Sequence, residues 1–462
     1  MLQARKVDSK FKLSLTLAGS ALTVCMMAKS ALAEDVVKLD HAPSTIMDAI
    51  SMGKPMTSFR LRYENVNQQG NAPVLSPTRP LEDANALTLR SLIGWKTAVF
   101  NNFSFTLQLI NVSKLDGDFN DSTPTSGAFT SGSNQPNKLA YAKVVDPDYT
   151  GINQLYVDWS GIQNTNVRLG RQQINLDNVR FIGDIGFRQV MQVFDGISIS
   201  NKFIPDTEVY LSHLEAVQQV NTELRTNGAL DIAHVKYKLT PTESLVGYGY
   251  FSSFSDLGFG TAWLANATAN QSNQIIGLRL DGAHPIDPDL RVLYTAEFAH
   301  QGNYQGGDSR IDANYYKVGG GIGVNNFSIR ADQELLGSNN GTYAFQTPFG
   351  TNHLFQGWVD KFLTTPKEGL RDSFVTAAYK YSNFVFSGEY HQFNSDNDFN
   401  KVGGGMGNKY GTEVDAAVTY NYSKNISTKI EYGKFSEGDQ YLATASRFRD
   451  TNKFWLTAMY AL

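Results

Sequence analysis

The side chains with the most chemical potential in this chain are arginines set among alternating apolar residues. Arg60, Arg62, Arg90, Lys96, Arg168, Arg171, Arg279, Arg291 and Arg330 fall in runs of period two, and Arg180 and Arg188 lie in the stretch that follows the fifth such run. A guanidinium presents parallel N–H donors that match a carboxylate or phosphate. A set of them can guide an anion with no covalent step. The candidate acids are Glu64, Asp158, Glu297, Asp332, Glu334, Glu389, Glu413, Asp415 and Glu431. Bases dominate the early runs and acids the later ones, so a chain closed on itself would carry a basic wall and a more acidic wall. Pairing of arginine with acid, merely holding loops in place, is the competing reading for each residue.

Other chemistry has little to build on. His213, His234, His300, His353 and His391 are scattered, and no G-x-S-x-G or comparable nucleophile motif accompanies them. This is not the pattern of an enzyme. The single cysteine excludes a disulfide scaffold and a cysteine metal cluster. Asp116-Gly-Asp118-Phe-Asn120-Asp121 and Asn394-Ser-Asp396-Asn-Asp398 offer hard oxygens for Ca²⁺, but neither follows an EF-hand loop, and solvated acidic loop tips are the plainer reading. No cofactor and no metal are expected. With 40 basic against 44 acidic residues there is no basic excess of the kind that binds nucleic acid.

These residues must be positioned by strands. Mean hydropathy is −0.30, and no stretch after residue 33 holds 18 consecutive apolar residues, so a membrane could be crossed only by β-strands. Phe59, Leu61 and Tyr63 alternate with Arg60, Arg62 and Glu64; Leu87, Leu89, Ile93 and Trp95 oppose Arg90 and Lys96; Phe327, Ile329 and Ala331 oppose Arg330, Asp332 and Glu334. Eighteen such strands can be placed between 57–66 and 452–462, including 383–393 and 411–421. Their connections alternate between short turns and long loops such as 113–151, 173–192 and 337–371. That rhythm marks an antiparallel transmembrane barrel with short periplasmic turns and long extracellular loops. An arginine facing lipid at the midplane costs ~2–4 kcal/mol, so the arginines are expected to face a wet lumen. Trp95, Trp159, Tyr248 and Tyr422 suit an interfacial aromatic girdle. Eighteen strands imply an aqueous channel rather than a packed interior. Loop 337–371 carries Phe345, Phe349, Phe355, Trp358 and Phe362 and is expected to pack into the barrel mouth as a lid or constriction, a lipopolysaccharide-facing cap being the competing reading.

The N-terminus reads as an export signal. Arg5, Lys6, Lys10 and Lys12 precede an apolar stretch from Leu13, and Ala31-Leu32-Ala33 supplies a small-x-small cleavage pattern. Removing 1–33 would leave 35 basic against 43 acidic residues, a net charge of −8, and no cysteine. The expected organisation is a signal peptide 1–33, a periplasmic segment 34–56 and a barrel 57–462. Residues 34–56 are too few for the plug domain of a siderophore-type transporter.

Three stretches go beyond the generic pattern: DAISMGKPMTSFRLRYENV from Asp48, LGRQQINLDNVRFIGDIGFRQ from Leu169 with Phe194-Asp195-Gly196 after it, and HLFQGWVDKFLTTPKEGLRD from His353. Together they resemble the alginate export family of outer-membrane proteins. The resemblance implies an 18-stranded monomeric barrel whose lumenal arginines guide an anionic polyuronate outward. The partners it implies are outer-membrane lipid and lipopolysaccharide, the barrel-assembly machinery that reads a C-terminal strand such as 452–462, and an anionic solute or polysaccharide. A general small-solute porin with little selectivity is the alternative.

Overall fold

A computed structural model describes residues 42–70, 80–121, 140–257, 269–443 and 448–462. The expected signal peptide 1–33 and the middle of the 113–151 loop lie outside them. Eighteen strands follow one another: β1 (Ser58–Gln68), β2 (Ala84–Lys96), β3 (Phe103–Asp118), β4 (Tyr149–Trp159), β5 (Thr165–Gln172), β6 (Val193–Asn201), β7 (Thr207–Gln218), β8 (Leu230–Thr240) and β9 (Glu243–Ser252) make the first half. The second half is β10 (Asn273–Pro285), β11 (Leu290–Asn303), β12 (Asp312–Val324), β13 (Phe327–Leu336), β14 (Leu370–Tyr381), β15 (Phe384–Asn400), β16 (Met406–Asn421), β17 (Ile426–Glu437) and β18 (Thr451–Ala461). Each pairs antiparallel with the next. β18 returns to β1, with Ala461 opposite Ser58 and Thr451 opposite Gln68. Closure leaves no edge strand, so every strand lends its backbone groups to a neighbour, as a hydrocarbon environment requires.

The alternation read from sequence sets the two faces. Leu169 is 62% and Leu278 60% exposed on the outside, while Glu64 and Glu413 on the inside are fully buried. A surface this apolar, over charges this buried, suits lipid outside and a polar interior. Turns on one rim are short: Pro-Thr at 241–242, Asn-Asn at 325–326 and Ser-Asn at 382–383. Next to them Trp95, Tyr237, Tyr381 and Tyr422 stand exposed as an aromatic girdle. A short helix α1 (Ile46–Ser51), closed by a Thr45–Asp48 capping box, lies on that rim, where Trp95 Nε1 donates to the Ile50 carbonyl at 2.8 Å.

Three expectations are corrected. Tyr248 is not in the girdle; it faces inward and its hydroxyl donates to Glu297 at 2.9 Å, because Gly247 and Gly249 take the outward positions of β9. The strands placed at 383–393 and 411–421 run on to Asn400 and back to Met406, shrinking their connection to 401–405. Beyond the hydrocarbon a hairpin can be polar on both faces, so the Asn/Asp-rich segment continues as strand. The interior, finally, is largely packed. Phe181, Tyr248, Tyr250, Tyr315, Phe345, Phe349 and Phe362 belong to one buried apolar cluster drawn from both wall and loops.

Candidate functional site

Two loops fill the lumen. The inner loop, 173–192, joins β5 to β6, and the long loop, 337–369, joins β13 to β14. Phe345, Phe349, Phe355, Trp358 and Phe362 of the long loop are all buried, as the aromatic content predicts. Burying each such side chain contributes ~1.5–3 kcal/mol, which offsets the entropy of ordering a long connection. The loops grip each other: Gly183 N donates to the Phe349 carbonyl at 2.9 Å and Thr351 N to the Val179 carbonyl at 2.9 Å.

The basic wall sits on β1 and β2. Arg60 and Arg90 are direct cross-strand partners, and Arg62 lies two residues further along β1 on the same face. Among the described residues none of the three forms an ion pair with a carboxylate. The inner loop supplies carbonyl oxygens instead. Arg60 donates to Gly186 O at 2.7 Å, to the Arg188 carbonyl and to Gln189 Oε1 at 2.9 Å. Arg62 donates to Phe187 O at 2.5 Å and its guanidinium lies 4.2 Å from the centre of the Phe187 ring. Arg90 is buried, and its Nε and Nη1 meet no protein acceptor.

The other candidate bases are mostly paired. Arg168 forms a fork on Asp158 at 2.7 and 3.1 Å, which Lys96 joins at 3.3 Å. Arg279 pairs with Asp281 and stands opposite Glu297 in register; Arg330 forks on Asp332 at 2.6 and 2.5 Å. Arg291 sits near the periplasmic rim, where it donates to the Asn325 carbonyl at 3.4 Å. Arg171 is a correction. It lies three residues from lumenal Arg168 and shares the parity of outward Leu169, so it belongs to the wall near the outer rim, forked on Asp195 at 2.7 Å through each arm.

Arg180 and Arg188 are not wall residues but bolts between loops and walls. Arg180 crosses to Glu334 on β13 at 2.7 Å, and Glu334 also accepts from Tyr315. Arg188 joins Glu64 on β1 at 3.0 Å to Asp360 of the long loop at 2.8 Å. Asp360 further accepts from Lys453 of β18 at 2.8 Å and contacts His353 Nδ1 at 2.8 Å. Burial acts to raise the Asp360 pKa, yet Lys453, His353 and Arg188 hold it well below the usual carboxylate range. On the acidic side, Glu431 pairs with Lys429, Glu389 contacts His391, and Glu413 and Asp415 accept from the Val359 and Trp358 amides of the long loop. The separation into walls is therefore partial: the unpaired bases on β1–β2 form the basic side, and the acidic side spans β15–β17.

Several participants are not among the candidates read from the sequence, although Gln189 and Asp360 lie within the two longer stretches quoted above. Asp360, Lys453, Gln189 and Asp146, which accepts from Gln189 N at 2.9 Å, matter through partners more than 40 residues away. For Lys453 the inward parity of the last strand was the available signal.

The sequence profile of the alginate export family matches residues 57–334. No curated protein matches by sequence. Among solved structures, OccAB4 of Acinetobacter baumannii is similar at a TM-score of 0.64 and 13% identity, over 89% of this chain and 98% of that one. Pseudomonas aeruginosa OccK9 (OpdG) gives 0.64 and 13% over 90% and 100%. Pseudomonas aeruginosa OpdK, solved with vanillate, gives 0.62 and 10% over 88% and 98%. At these identities the likeness is one of fold: outer-membrane barrels with this architecture.

Proposed function

The chain belongs to the alginate export family, and from that premise we propose that this outer-membrane channel passes carboxylate-bearing solutes, an acidic oligo- or polysaccharide among them, along the Arg60–Arg62–Arg90 wall. Family and fold point to a transporter rather than an enzyme. The observation that carries the choice of cargo is that, among the described residues, none of these three buried guanidiniums forms an ion pair with a carboxylate. Carbonyl oxygens of Gly186, Phe187 and Arg188 occupy donors of Arg60 and Arg62, while Arg90 Nε and Nη1 meet no protein acceptor. Those oxygens stand where an anionic solute's would bind once the inner loop yields, and ion pairs would replace bonds to uncharged acceptors. Transport is then passive, with loop displacement as the conformational step and charge as the guide.

The test is the reversal potential of the purified protein in planar bilayers under a KCl gradient, followed by titration with oligouronates. A chloride-selective potential and current block are expected, both weakened in Arg60→Gln/Arg90→Gln. Cation selectivity, or variants indistinguishable from wild type, would overturn the proposal. The pairing of Arg168 and Arg330 favours a second reading, a small-solute porin with little selectivity. A small carboxylate such as the vanillate found with OpdK, blocking as well as oligouronate does, would support intermediate breadth.

A further inference from the structure

On the acidic wall, β14, β15 and β16 bring four carboxylates around one imidazole. Glu389 and His391 lie two apart on β15, so they share the lumenal face. Asp415 is the direct cross-strand partner of Glu389, and Glu413 that of His391. His391 Nε2 is 3.1 Å from Glu389 Oε2 and 3.9 Å from Asp415 Oδ2. One donor atom from each of the three residues lies within 4.8 Å of the other two. Donors around a tetrahedral Zn²⁺ stand ~3.4 Å apart, so a shift of under ~1.5 Å per donor completes a site.

The imidazole is aimed. Its Nδ1 bonds to Asp372 of β14 at 2.9 Å, which fixes the ring and turns Nε2 toward Glu389 and Asp415. Carboxylate–histidine–metal relays have this form. The charge is also out of balance. Among the described residues no lysine or arginine forms an ion pair with Asp372, Glu389, Glu413 or Asp415; Lys361 acts on Glu413 only at longer range and donates to Gln68 at 3.3 Å. Asp415 Oδ1 and Glu413 Oε2 are buried with no hydrogen-bond partner. A doubly protonated His391 would still leave an excess of buried carboxylate, which bound protons or a cation must neutralise.

We propose that Glu389, His391 and Asp415 bind a borderline divalent cation of the Zn²⁺ class, with Asp372 orienting the histidine and Glu413 beside it. The imidazole selects against Ca²⁺ and Mg²⁺, which prefer all-oxygen shells. The long loop roofs the site, through the Trp358 and Val359 amides on Asp415 and Glu413, so occupancy couples to that loop.

The experiment titrates ZnCl₂ into chelator-stripped full-length protein in detergent by calorimetry, with metal per chain counted after desalting. About one Zn²⁺ per chain is expected. His391→Gln and Asp415→Asn should each weaken binding at least tenfold, and Asp372→Asn by ~10–100-fold. His213→Gln, on the lipid-facing side, should bind as wild type does. Heat-modifiable gel mobility reports folding of each variant. Should a variant fail to fold, Co²⁺ bound to wild type supplies the readout through visible bands of a low-coordinate nitrogen–oxygen site. Substoichiometric Zn²⁺ uptake, uptake unchanged in His391→Gln, absent Co²⁺ bands, or equal displacement by CaCl₂ would each overturn the proposal. None of these readouts depends on the cargo or selectivity of the channel.

Discussion

Arg180, on the inner loop after β5, meets Glu334, on β13 across the lumen, at 2.7 Å with both side chains only 1% exposed. One loop thus ties two distant strands, and both charges depend on each other. Removing one partner of a buried pair leaves the other uncompensated, at a cost of ~3–5 kcal/mol. Arg180→Met should therefore lower the thermal midpoint of the closed state and raise channel conductance. Arg180→Met/Glu334→Met should recover much of the loss, since the apolar pair leaves no stranded charge. The check is a double-mutant cycle read by thermal unfolding and single-channel current. Additive effects in the cycle would show the pair to be uncoupled.

Shortening the long loop tests its role as an occluding element. Replacing residues 345–365 with a Gly-Ser linker removes Phe345, Phe349, Phe355, Trp358 and Phe362 from the interior, while β13 and β14 keep their own ladder. Conductance should rise several-fold with heat-modifiable mobility retained. Unchanged conductance would mean that current bypasses the loop.

The loops also carry a pH dependence with a defined sign. Burial pushes His353 below its ordinary 6.5, against the pull of Asp360. Asp360 is held well below its ordinary 3.8 by Lys453, His353 and Arg188. A depressed group contributes stability that is complete above its ordinary pKa and is lost as pH falls through the folded value. Through these two groups the closed loops should begin to loosen as pH falls below 6.5, where His353 must be charged, and weaken further as pH falls below 3.8 toward the folded value of Asp360. Conductance measured from pH 8 to about pH 2 should show both windows, and Asp360→Asn should abolish the lower one. A flat profile would remove these residues from gating.

The barrel was legible because period two is enforced residue by residue by lipid on one side and charge on the other. Phe59-Arg60-Leu61-Arg62 admits one orientation. Parity also held the Arg171 answer, since a spacing of three from Arg168 cannot share its face in a regular strand. Aromatic type alone puts Tyr248 at the interface, whereas its glycine neighbours Gly247 and Gly249 take the outward positions. The lid was legible as composition, five large aromatics in one loop, but not its seat. Contacts such as Asp360 with Lys453 or Arg60 with the Gly186 carbonyl join segments that only the closed barrel brings together, and carbonyl partners leave no trace in side-chain identity. An aqueous channel was the natural reading of strand count alone. It fails here because both loops turn inward.

A last prediction separates strain from contact in the long loop. Gly357 has φ +80° and Gly341 has φ +73°, so alanine at either meets a similar backbone penalty, ~1–3 kcal/mol. Their surroundings differ. A Cβ at Gly357 would run into the Glu413 carboxylate, while one at Gly341 has nothing within 4 Å. Gly357→Ala must therefore push the Trp358–Val359 segment off the acidic wall, breaking the 2.7 Å bond from Val359 N to Glu413, whereas Gly341→Ala stores strain alone. The expected outcome is a higher open probability for Gly357→Ala than for Gly341→Ala at equal pH and voltage, with both folding into heat-modifiable barrels. Equal behaviour of the two would mean that the contact between Gly357 and Glu413 does not hold the loop against the wall.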